Sequence, residues 1–134
     1  MFGPDTKVLI VDDMMTMRKI VINGLKKLDL KIVVEAEDGV AAWDVMERSD
    51  SEGKIGLIVC DWNMPNMTGI EFLKKVRASD KYQDTPFLMV TAEAEQKAVL
   101  EAVQEKVSNY IVKPFSPDTL AEKLSIVYKK HFPG

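Results

Sequence analysis

The stretch Lys54–Gly69, Lys-Ile-Gly-Leu-Ile-Val-Cys-Asp-Trp-Asn-Met-Pro-Asn-Met-Thr-Gly, decides how the rest of the chain is read. Ile55, Leu57, Ile58, Val59 and Cys60 make a short apolar run, dense enough for a strand buried on both faces. The run stops at Asp61, and Pro65 and Gly69 punctuate the loop beyond it. A carboxylate at the carboxyl end of a buried strand stands where open α/β sheets hold their ligands.

Working outward, Lys7–Val11 is a second run of this kind, and it too ends in acids, Asp12 and Asp13. Met14, Met17, Ile20, Val21, Leu25 and Leu28 fall at helical spacing and predict a helix over Met14–Leu28. Ile32–Glu35 reads as a short strand, Ala36–Gly39 as a turn, and Val40–Arg48 as a helix with Val40, Trp43 and Met46 inward. Ser49–Lys54 reads as polar linker. Thr68 is placed to cap a helix reaching about Ala78, with Ile70, Phe72, Leu73 and Val76 as its apolar set. Phe87–Val90 is a strand ending at Thr91, Glu93–Lys106 an amphipathic helix, and Tyr110–Val112 a strand ending at Lys113-Pro114. Ser116-Pro117-Asp118 opens a last helix carrying Leu120, Leu124, Val127 and Tyr128, with a frayed tail over His131–Gly134. Strands and helices thus alternate five times, which predicts an α/β fold: a doubly wound, five-stranded parallel sheet with five helices.

The 134 residues are expected to form one domain over 1–134, with its core at about 6–130. A net charge of −3 argues against nucleic-acid binding through a basic surface. Cys60 is the single cysteine, so no intrachain disulfide framework exists, which fits a reducing compartment. No signal-peptide pattern opens the chain, and no apolar run approaches the ~20 residues needed to cross a bilayer. A cytoplasmic monomer without membrane insertion is expected.

In a parallel sheet the carboxyl ends of the strands share one edge, which gathers Asp12, Asp13, Asp61, Thr91 and Lys113 around one crevice. Two carboxylates ~4 Å apart repel by about 4 kcal/mol at an effective dielectric near 20. Three therefore need cationic compensation. Lys113 supplies one charge, and a hard divalent ion such as Mg²⁺, which takes carboxylate oxygens and bridges to phosphate, suits the remainder.

The motifs Val11-Asp12-Asp13, Cys60–Gly69, Val90–Glu93 and Tyr110–Phe115 resemble the receiver domain of bacterial response regulators, closest to the CheY-like single-domain chemotaxis type. The likeness runs from about Lys7 to Lys130 with all motifs in order, and it implies the flavodoxin-like strand order 2-1-3-4-5. It implies Asp61 as phosphoacceptor for a histidine kinase, with Asp12, Asp13 and the main-chain carbonyl of Asn63 around Mg²⁺ beside it. It implies Lys113 pairing with a phosphoryl oxygen, and Thr91 and Tyr110 as the moving switch residues. Asn63 and Glu93 match the pair that tunes self-dephosphorylation in chemotaxis-type members. Implied partners are the kinase, a flagellar motor switch protein or other output protein, and a phosphatase. The output face would comprise the predicted fourth helix, fifth strand and fifth helix.

Each residue taken singly has a plainer reading. An acid at a strand end is often only a loop or helix-cap residue, Lys113 a solvated lysine, Thr91 an N-cap, and Tyr110 half-buried packing. It is the set in one sequence context that outweighs these. Three departures stand out: Met14-Met15 beside the expected metal site, Thr68 where Asp is common, and no glycine over Glu105–Asn109. A left-handed helix end at Lys106 would be strained, whereas Asn109 tolerates that conformation. Two rival classes fit less well. An aspartyl phosphatase wants a second acid where Asn63 stands, and a flavin or nucleotide domain wants a Gly-rich phosphate loop where Asp12-Asp13 stands.

Overall fold

The computed structural model describes residues 1–92 and 103–133. Five strands, β1 (Lys7–Val11), β2 (Ile32–Ala36), β3 (Leu57–Asp61), β4 (Phe87–Ala92) and β5 (Asn109–Lys113), form one sheet in the order β2-β1-β3-β4-β5. Every neighbouring pair is parallel. The helices are α1 (Met15–Lys26), α2 (Gly39–Glu52), α3 (Gly69–Ala78) and α4 (Pro117–His131).

Period-2 alternation along the central strands divides the core in two. Leu9, Val11, Ile58, Cys60, Phe87 and Met89 join residues of α2 and α3, including Met46, Phe72, Leu73 and Val76. Val8, Ile10, Leu57, Val59, Leu88 and Val90 join Val21 and Leu25 of α1 and Leu120, Leu124 and Val127 of α4. The continuous apolar runs are thus explained: strands covered on both faces have no side to leave polar. Right-handed crossovers put α1 and α2 on opposite faces, because the chain reverses its direction of travel across the sheet after β2. That reversal opens a crevice at the carboxyl ends of β1 and β3.

The expectation of five helices is not met, since the described residues form four. The expected helix Glu93–Lys106 falls largely on residues 93–102, outside the described residues, and its C-terminal part ends in a turn. There Lys106 adopts φ 63° and its N–H donates to the Val103 carbonyl. The left-handed residue is therefore Lys106, and Asn109 instead begins β5. Helix α1 stops at Lys26 rather than Leu28, because Asp29 turns left-handed (φ 62°) and lets the Leu30 N–H return to the Leu25 carbonyl. Helix α2 runs a turn further than its apolar pattern predicts, taking in Ser49–Glu52. Ser49 is buried there, with its hydroxyl satisfied by the Met46 carbonyl. Val40, predicted inward, is exposed, and Ala42, Val45 and Met46 form the buried stripe. Thr68 caps α3 as expected and forms a reciprocal capping box with Glu71.

Candidate functional site

Asp61 is the last residue of β3, and Asp12 follows the end of β1. The register sets Val11 beside Cys60, so the two acids leave adjacent strands at one level. Asp12 is anchored through its N–H to the Ala36 carbonyl (3.1 Å) and through Oδ1, which accepts the Met14 N–H (2.9 Å). Asp13, the next residue, is exposed. One carboxylate oxygen from each of Asp12, Asp13 and Asp61 lies within 4.8 Å of the other two. Lys113, at the end of β5, reaches across to Asp61, with Nζ 3.0 Å from Oδ1. Buried Thr91 stands in β4 between them.

The floor of the site depends on one glycine. The Gly69 N–H donates to the Trp62 carbonyl (2.8 Å), and a Cβ at Gly69 would lie 2.2 Å from the Asp61 carbonyl oxygen. Only glycine lets α3 begin that close to the end of β3. The loop between them is tied sideways by Asn66 Nδ2, which donates to Asp38 Oδ2 (2.7 Å) at the N-cap of α2.

Burial dominates the electrostatics. It is the largest cause lifting Asp12 from 3.8 to about 6; the charges of Asp61 and Asp13 add to it, while the Met14 N–H and Lys113 oppose it. Burial likewise raises Asp61, against the hydrogen bond and charge of Lys113. At a separation of 4.8 Å each ionised pair repels by about 3.5 kcal/mol at an effective dielectric near 20. One lysine offsets one of three negative charges. All the donors are hard oxygens, so Asp12, Asp13 and Asp61 could hold a hard divalent cation. Cys60, directly before Asp61, is fully buried with its thiol pushed well up by desolvation, so it is not a nucleophile here.

Asp13, Asp61, Asn63, Thr91 and Lys113 line one open pocket of about 420 Å³, and Met14 and Trp62 form part of its wall. Of the residues expected at the site, Asp12, Asp13, Asp61, Asn63, Thr91 and Lys113 are therefore brought together. Tyr110 is not among the residues lining it. It is half-buried, two residues upstream of the Thr91–Val112 pair, with Lys123 Nζ 5.1 Å from its ring centroid. Glu93 lies outside the described residues.

Two residues escaped the sequence reading. Arg18 is buried beside Asp12, and its one sequence signal is that it shares the i, i+3, i+7 stripe of Val21 and Leu25. His131, read as frayed tail, ends α4 and hydrogen-bonds to Ser108 Oγ.

The family model of the response regulator receiver domain matches residues 8–125. The chain belongs to the response regulator receiver domains. Among relatives of this receiver domain is a chemotaxis protein CheY homolog of Campylobacter jejuni, 48% identical over 121 residues that cover 90% of this chain and 91% of the relative. Chemotaxis protein CheY1 of Helicobacter pylori is 45% identical, over 90% of this chain and 95% of its own. The solved structure of chemotaxis response regulator CheY4 of Vibrio cholerae superposes with a TM-score of 0.80 at 36% identity, over 91% of this chain and 98% of that one. A receiver domain of this CheY-like type is a signalling switch of two-component systems. No helix among the described residues is long and apolar enough to cross a membrane.

Proposed function

We propose that this receiver domain takes a phosphoryl group onto Asp61 from the phosphohistidine of a histidine kinase and thereby changes which protein it binds. The observation that carries this is the Lys113–Asp61 contact of 3.0 Å beside the carboxylates of Asp12 and Asp13, with Asp13, Asp61 and Lys113 opening on one pocket. An Asp61 carboxylate oxygen attacks phosphorus; a P–O bond forms as the P–N bond breaks, and its electron pair returns to the imidazole ring. Asp12, Asp13, Asp61 and the main-chain carbonyl of Asn63 would hold Mg²⁺. When bound, the ion neutralises charge on the phosphoryl and carboxylate oxygens, as in phosphoryl transfer generally. Lys113 holds a phosphoryl oxygen as a point charge. Little covalent chemistry is asked of the protein, whose task is position and charge.

The product carries about −1.5 to −2 charge where the Asp61 carboxylate carried −1, in a pocket already acidic. Thr91 supplies a hydroxyl donor to it, and Tyr110 moves inward with it. The shift remodels the face around Tyr110, β5 and α4, which docks an output protein. The chemotaxis names of the relatives favour a flagellar motor switch protein as that partner. Asn63, with Glu93 as the other member of the chemotaxis-type pair, tunes hydrolysis of the acyl phosphate by water, so the domain resets itself, and a separate phosphatase hastens the reset. The switch works as a cytoplasmic monomer, one domain over residues 1–134.

The test is incubation with a small-molecule phosphodonor, followed by intact mass and by Trp62 fluorescence in a Trp43→Phe background, with and without Mg²⁺, in the parent and Asp61→Asn. A mass gain and a fluorescence change that both need Mg²⁺ and Asp61 are expected. Phosphorylation that persists in Asp61→Asn would place the chemistry elsewhere.

A further inference from the structure

We infer that Arg18 is a positioning residue for the acidic pocket: braced by Glu35, its guanidinium holds the Asp12 main chain and so sets where Asp12 and Asp13 present their carboxylates. This rests on reading Asp12, Asp13 and Asp61 as the oxygens that hold a divalent cation.

The start of α1 has a deficiency that Arg18 makes good. Met14 is its N-cap, it provides no side-chain cap, and the first turn holds no acidic residue. Nothing intrinsic to the helix therefore fixes the Asp12-Asp13-Met14 link between β1 and α1. The link is fixed by three bonds to Asp12 instead. Its N–H donates to the Ala36 carbonyl at the end of β2, and its Oδ1 accepts the Met14 N–H. Its carbonyl accepts from Arg18 Nη1 at 2.7 Å, a buried contact. Remove the third and the residue keeps its strand and its turn but loses its tie to the helix.

The geometry requires a fork. While Nη1 holds the Asp12 carbonyl, Nε donates to Glu35 Oε1 at 2.9 Å, so one planar group spans β1, α1 and β2. The Arg18 side chain is 10% exposed and that of Glu35 43%. The buried end is thus the one on Asp12, and the outer end on Glu35 aims it. Because the guanidinium charge is paired with Glu35, Arg18 acts on the acids through backbone position, whereas Lys113 acts on them as a counter-charge. Groups that orient ligating side chains from behind typically matter tenfold or more to metal affinity.

The probe is Mg²⁺ alone, titrated at constant ionic strength and followed by Trp62 fluorescence in a Trp43→Phe background, which leaves Trp62 as the sole indole. The proteins are the full-length parent, Arg18→Met, Arg18→Lys and Val127→Ala. The last is a buried α4 substitution on the far side of the core from α2 and α3, and it lowers stability without touching the pocket. Arg18→Met should weaken Mg²⁺ binding about tenfold. Arg18→Lys, with one nitrogen in place of a fork, should weaken it severalfold, and Val127→Ala should leave it unchanged. Equal affinity in the parent and Arg18→Lys overturns the inference, and this arm decides should Arg18→Met fail to fold. Equal weakening in Val127→Ala overturns it too, by reducing the effect to stability. A parent that gives no Mg²⁺ response defeats the underlying metal reading and takes this inference with it, an outcome separate from the other two.

Discussion

Asp12→Asn should stabilise the metal-free protein at neutral pH. Burial lifts Asp12 from 3.8 to about 6, so its folded pKa lies above its unfolded one. The sign follows: a group of this kind contributes stability that is fully present below about pH 4 and is lost as pH rises through about 6. At 1.36 kcal/mol for each pKa unit, the ionised side chain costs the folded state about 3 kcal/mol above that range. The pocket mouth is open to water, and asparagine accepts the Met14 N–H less strongly than a carboxylate does. The working figure for the gain is therefore about 1–3 kcal/mol. Urea unfolding followed by circular dichroism, in a chelator and at about pH 7.5 and 4, measures it. Asp12→Asn should be the more stable protein at the higher pH and should lose that advantage at the lower one. Added Mg²⁺ should stabilise the parent and not the variant, because only the parent keeps the full oxygen set. A variant no more stable than the parent at pH 7.5, or one stabilised equally at both pH values, would show that Asp12 carries no buried-charge penalty.

His131 is the one histidine of the chain, so its ring gives a single nuclear magnetic resonance titration. Burial first, and then the charges of Arg77 and Lys130, hold it below its ordinary value, with Asp84 opposing. Ser108 Oγ already accepts from the Phe87 N–H and from Arg77 Nη2, so its hydroxyl proton is left for His131 Nε2, which must be neutral. A depressed folded pKa means that this stability is present above about pH 6.5 and falls as the pH drops through the folded value. A midpoint at or above 6.5 would refute the account. Gly69→Ala sets a methyl carbon 2.2 Å from the Asp61 carbonyl oxygen, a clash with the main chain that no side-chain rotation can relieve. A loss of about 2–3 kcal/mol is expected in the same unfolding assay, together with a weakened Mg²⁺ response. Full stability would mean that α3 does not press on β3.

Much of the site was legible because its geometry follows from two local periodicities. Continuous apolar runs that end in a polar residue define strands buried on both faces, and parallel pairing then puts Asp12, Asp61, Thr91 and Lys113 at one edge. The cap on α3 was equally plain, since Thr68 and Glu71 are partners within one turn. What failed was inference about which face of a helix is covered. Val40, Ile20 and Met14 are apolar and at helical spacing, yet each is more than half exposed, because the stripe that meets the sheet is chosen by the sheet's position. The last turn of α2 was missed for the opposite reason: its residues are polar, and Ser49 is buried only because it satisfies itself on Met46.

The chain's own residues determined the strand order's ingredients, the acids and lysine at the strand ends, and the membership that the family match then established. Only the tertiary structure decided the roles of Arg18, Lys106 and His131. Arg18 looks like a surface charge until its partners 6 and 17 residues away come into place. Lys106 holds a left-handed turn, and Arg77 Nε, 29 residues distant, donates to its carbonyl at 2.9 Å. His131 acquires a partner in Ser108, 23 residues back. Periodicity reports whether a side chain meets water or core. A polar group's partner is set by long-range approach of the backbone, and no local pattern encodes it.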